Sequence, residues 1–97
     1  MTKCETAICQ LAVNVYGKTS QCTVCMEEMA ELTKELSKNI RGQDNAAHIA
    51  EEIADVEIML EQLKLMFSIR DEVTQQRTVK LQRLDNRISQ SLIHPKP

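Results

Sequence analysis

Two short acidic segments hold the groups able to do chemistry. Glu27, Glu28 and Glu31 lie in one and Glu51, Glu52 and Asp55 in the other; the pattern of residues 25–32 recurs over residues 49–56, at an offset of 24. At about 100° per residue, Glu28 and Glu31 fall at about 300° and 240° from Cys25, and Glu52 and Asp55 take the same angles from Ile49. Both pairs therefore border an apolar seam, while Glu27 and Glu51, at about 200°, turn away from it. The centre of the two pairs falls beside Gly42, so a chain reversing there brings four carboxylates to one level. Ionised carboxylates gathered at a core edge repel one another and lose hydration, and a divalent cation relieves both costs. A donor set made only of oxygen selects Mg²⁺, with Mn²⁺ possible, over zinc, and Mg²⁺ commonly completes its octahedron with substrate phosphates. A ferritin-like di-iron centre needs Glu-x-x-His on two helices, which His48 and His94 do not supply.

The elements that must position these acids read as helices over residues 3–16, 20–39, 45–67 and 70–93. Gly17 and the stretch around Gly42 punctuate the first two junctions. The third, Ser68-Ile69-Arg70, contains neither Gly nor Pro and is compatible with one bent helix. Ile8, Leu11, Ala12 and Val15 recur at helical spacing on the first, Cys25, Met29, Leu32 and Leu36 on the second. Ile49, Ile53, Val56, Leu60, Leu63 and Phe67 do so on the third, and Leu81, Leu84, Ile88 and Leu92 on the fourth. Ser20 and either Asp44 or Asn45 suit N-caps, and residues 93–97 form a frayed tail. With 97 residues, 2 Gly, 2 Pro and 2% aromatic against 42% hydrophobic content, the chain is expected to be one all-α domain spanning residues 1–97. The architecture implied is a four-helix bundle-type subunit with an antiparallel motif hairpin. Cys4, Cys9, Cys22 and Cys25 read as small hydrophobes, because Cys22-x-x-Cys25 has no second half to make a zinc or redox site.

Charge sorts along the chain. Residues 27–61 hold ten acids against three bases, net −7, and residues 62–97 hold seven bases against three acids, net +4. The overall charge of −2 and pI near 5.7 argue against a nucleic-acid polymer as partner. No apolar run reaches the roughly 18 residues of a membrane span, nor is there a segment of signal-peptide type, so a cytoplasmic protein without a membrane partner is expected. On the fourth helix Lys80, Arg83 and Arg87 form a basic edge suited to phosphate, with a solvated helix face as the plainer explanation.

Glu27-Glu28-Met29-Ala30-Glu31-Leu32 resembles the EExxE motif, and Glu52-Ile53-Ala54-Asp55 the ExxD motif, of the MazG-like all-α nucleoside triphosphate pyrophosphohydrolases. The resemblance spans roughly residues 8–88. It implies Mg²⁺-dependent hydrolysis between the α- and β-phosphates, giving a nucleoside monophosphate and pyrophosphate, with metal ligands at Glu28, Glu31, Glu52 and Asp55. Glu28 or Glu31 then accepts the proton of the attacking water, and Lys80, Arg83 and Arg87 contact the leaving pyrophosphate. Tyr16, beside Gly17, suits the aromatic that relatives place near the base, and Gln21 is a polar candidate to read the base. Phosphoribosyl-ATP hydrolysis shares this metal site and differs in its base and ribose contacts. A homodimer or homotetramer is implied, and a thin core with Met26, Ile58, Leu65 and Met66 away from the seams points the same way. The alternative of a different class is a non-enzymatic helical interaction protein whose acids merely solvate the helices.

Overall fold

The computed structural model describes residues 1–93, so the expected tail lies, apart from Ile93, outside the described residues. Helix α1 (Lys3–Tyr16) begins with a capping box: the Thr2 hydroxyl accepts from the Glu5 amide at 3.1 Å and the Glu5 carboxylate accepts from the Thr2 amide at 2.8 Å. Thr-x-x-Glu before an apolar run is the sequence pattern that produces it. The helix stops at Gly17, whose φ of +87° and ψ of 161° are open essentially to glycine alone. No side chain would collide there, so backbone conformation and not space fixes the residue type.

Helix α2 (Lys18–Ile40) starts immediately beyond Gly17, two residues earlier than expected. Ser20 is therefore inside the helix, and Gly17 takes the capping position without a side-chain bond. At its far end the Gln43 amide donates to the Lys38 carbonyl and the Gly42 amide to the Asn39 carbonyl, with Gly42 at φ +99°. That is a Schellman turn with glycine at the left-handed position. Helix α3 (Ala46–Met66) ends in the same pattern, Ile69 to Lys64 and Ser68 to Leu65, but with Ser68 at φ +52°. The third junction is thus a true break built without glycine, which is why residue types alone left it open. Helix α4 (Arg70–Ile93) follows.

Helices α1, α2 and α3 pack on one another, the α2–α3 contact being the most extensive. The buried apolar side chains are Cys9, Val13, Cys25, Met59 and Met66. Met66 was expected away from the packed seams and is instead core, and Leu65 is half-buried. On α1 the seam is turned by one residue: Cys9 and Val13 face inward, while Ile8, Leu11 and Val15 are exposed. Between α2 and α3 the Gln21 side-chain amide donates to the Gln62 carbonyl oxygen at 2.7 Å, both residues being buried.

Helix α4 approaches only α3 and has no buried residue of its own. The radius of gyration of 17.1 Å accordingly exceeds the roughly 13 Å of a compact chain this long. Its departure from α3 is held by an ion pair between Arg70 and Glu61, the latter buried and the former half-exposed. Arg70→Ala strands that carboxylate, and a loss of about 3 kcal/mol is expected, at the low end of buried-pair penalties because Arg70 already meets water. A lowered urea midpoint, largely restored when Glu61→Gln is added, is the expected measurement.

Candidate metal centre

Burial follows one stripe on each motif helix. On α2 it runs through Gln21, Cys25, Glu28, Leu32 and Glu35, and on α3 through Ile49, Glu52, Val56, Met59, Leu63 and Met66. Spacings of three and four residues keep each stripe on one helix face. Glu28 and Glu52 therefore lie within the packed stripes themselves, while Asp55, exposed, stands at the edge.

One carboxylate oxygen from each of Glu28, Glu52 and Asp55 lies within 4.8 Å of the other two. No other three His, Cys, Asp or Glu ligand atoms among the described residues come this close. One Glu52 oxygen, Oε2, is buried and without a hydrogen-bond partner. A buried oxygen left unpaired costs free energy, and its presence in a helix-packing face asks for a donor or a cation. Burial, then the charges of Asp55 and Glu52, push the Glu28 carboxyl above its ordinary value. Burial, then Asp55, Glu31 and Glu35, do the same to Glu52. Three oxygen donors in mutual repulsion, with no sulfur or nitrogen among them, fit a hard divalent cation such as Mg²⁺ or Mn²⁺.

Glu31, the fourth expected ligand, is exposed and outside this group of three, though its charge acts on both Glu28 and Glu52. Glu27 and Glu51 are exposed, as their helical phase requires, and Glu51 faces His48 at 3.8 Å. Lys80, Arg83 and Arg87 are exposed on α4, and Lys80 and Arg87 flank a shallow apolar groove with Val73, Leu81 and Leu84. Because α4 makes no approach to α2, one chain does not bring these bases to the carboxylates. Tyr16 is exposed beside Ile8, Leu11 and Val15. Gln21 is buried with its amide engaged by Gln62, which places it in the interior and not at an open base pocket.

Sequence reading overlooked Glu35. It lies two turns beyond Glu28 on the same stripe, and that spacing of seven residues was the available signal. Its carboxylate accepts from Asn45 at 2.7 Å and from Lys38 at 3.3 Å. The Asn45 bond, ahead of the Lys38 interaction, holds its pKa below the ordinary value.

Comparison with protein-family models, with curated proteins and with solved structures finds no match to this chain.

The pKa directions set a sign for stability. Glu28 and Glu52 have raised folded values, so their contribution is fully present below the unfolded carboxylate pKa and is lost as pH rises through the raised values. Glu5 and Glu35 have lowered values, and their contribution is lost as pH falls. Glu28→Gln is expected to raise the melting temperature of the metal-free protein more at about pH 7 than at about pH 4, because the repulsion it removes grows as pH rises through the raised value. Thermal unfolding followed by circular dichroism, with chelator present, reads this difference.

Proposed function

We propose that the chain is a Mg²⁺-dependent nucleotide pyrophosphohydrolase that cleaves a (d)NTP between its α- and β-phosphates, releasing (d)NMP and pyrophosphate. The observation that carries the reading is the convergence of Glu28, Glu52 and Asp55 around an unpartnered, buried Glu52 oxygen. The EExxE and ExxD resemblance supplies the reaction class. Glu28, Glu52 and Asp55 hold Mg²⁺ or Mn²⁺, and Glu31 completes the acidic edge. A cation held by these residues would supply charge neutralisation at the phosphates and a water of lowered pKa. Glu31, exposed one turn from Glu28, accepts the proton as water attacks the α-phosphorus and the bond to the β-phosphate bridging oxygen breaks. Glu28 is the other candidate for that proton.

The antiparallel hairpin of α2 and α3 is part of this reading. Gln21 meets Gln62 while Asn45 reaches back to Glu35, a reversal of chain sense that supports it. The substrate site is completed in a cytoplasmic homodimer or homotetramer, where α4 of a second copy presents Lys80, Arg83 and Arg87. Exposed apolar side chains on α1 and α4 support the assembly. Those same surfaces are what favour the alternative of a helical interaction protein. Pyrophosphate release from a panel of ordinary and damaged nucleotides, with Mg²⁺ and then with chelator, tests the enzyme. Chelator-sensitive release of pyrophosphate supports it; no turnover and no Mg²⁺-dependent thermal stabilisation would favour the interaction protein.

A further inference from the structure

Asn45 occupies the capping position of α3, yet its side chain makes no bond to that helix. It is buried, and its amide nitrogen donates to α2 twice, to the Glu35 backbone carbonyl at 2.9 Å and to the Glu35 carboxylate at 2.7 Å. Its carbonyl oxygen accepts from Asn39 at 3.2 Å. One side chain thus ties the first residue of the α3 approach to two points on α2, leaving the α3 N-terminus to do without a cap worth about 1 kcal/mol. The tie lies at the turn end of the α2–α3 pair, and the Gln21–Gln62 bond lies at the far end, with the carboxylates between them. A shift of one helix along the other by a single residue is about 1.5 Å, which changes the spacing of ligand oxygens that now lie within 4.8 Å.

We propose that Asn45 is a positioning residue for the carboxylate site, fixing the register of α2 on α3 so that Glu28 meets Glu52 and Asp55. The inference rests on the metal-site reading above. Neighbouring residues that orient ligands commonly change metal affinity by 10–100-fold when removed, and the effect expected here is at the lower end, about tenfold.

Mn²⁺ binding to the full chain, followed by the electron paramagnetic resonance of the free ion, provides the test. Asn45→Ala is expected to raise the dissociation constant about tenfold. Gln62→Ala, which breaks the bond at the other end, is expected to lower the melting temperature comparably and to leave Mn²⁺ affinity within about twofold, since it costs stability without touching the register at the turn. Glu35→Gln keeps an acceptor for Asn45 and is expected to resemble wild type, whereas control by the Glu35 charge alone predicts a loss as large as that of Asn45→Ala. If Asn45→Ala does not fold, Asn39→Ala removes the 3.2 Å support and must weaken Mn²⁺ in the same direction. Equal losses in Asn45→Ala and Gln62→Ala, or no loss in Asn45→Ala, overturn the proposal. Wild-type protein that binds no Mn²⁺ overturns the metal-site reading itself, and this inference with it.

Discussion

Glu28→Gln is expected to reduce pyrophosphate release by a thousandfold or more, while Glu27→Gln retains most of it. The substitution keeps size and removes one charged ligand; a loss of about 4 kcal/mol in transition-state stabilisation corresponds to roughly that factor. Glu28 lies in the packed stripe of α2 with an oxygen in the three-carboxylate group, whereas Glu27, one residue away, is exposed and outside it. The same contrast is expected on α3, where Glu52→Gln inactivates and Glu51→Gln does not. Initial rates at saturating Mg²⁺, with circular dichroism to establish folding, give the comparison. Equal losses at Glu27 and Glu28 would show that the outer acids orient the inner ones, and full activity in both would remove the carboxylates from the mechanism.

The second large effect is expected on assembly. Leu84→Glu combined with Ile88→Glu should convert an oligomer into an 11 kDa monomer in size-exclusion chromatography with light scattering, and abolish turnover at the same time. Leu81, Leu84, Ile88 and Leu92 are all exposed along one side of α4, a helix of 24 residues and so about 36 Å long. An isolated helix gains little from its own hydrogen bonds in water, and its stability comes from burying such a face. A lasting contact between copies needs about 1,200–2,000 Å² in total, and two carboxylates in the middle of the stripe would end it. A wild-type chain that is itself monomeric at micromolar concentration would refute the assembly.

The helices were legible in the sequence because apolar spacing marks their faces and Gly17 and Gly42 act locally, through backbone conformations only a few residues long. The break at Ser68 was placed between residues 67 and 70 but left open to one bent helix, since a left-handed serine leaves no mark in composition. The acidic site was partly legible: helical phase separates Glu28 and Glu52 from Glu27 and Glu51 without knowledge of the packing partner. Phase alone put Glu31 and Asp55 on equal terms, although only Asp55 joins the group of three. It erred more on α1, where Ile8, Leu11 and Val15 form the more apolar stripe and yet Cys9 and Val13 are buried. Periodicity finds an apolar face but does not say whether the same chain covers it. Periodicity is equally silent on polar residues: Gln21, a polar candidate for the base, is buried with its amide donating to Gln62 across the helix contact.

Of the buried apolar side chains among the described residues, Cys9, Cys25, Met59 and Met66 carry sulfur, and Val13 alone does not. Burial raises the pKa of both thiols, which keeps them protonated and slow to react with peroxide or disulfide. The two methionines have no such protection, because a thioether is oxidised without first losing a proton. A sulfoxide at Met59 or Met66 would place a polar, chiral group where these helices meet. The soft side chains that let a small interior fill its gaps thus also place oxidisable thioethers in it, and a sulfoxide there would act directly on the packing of α3.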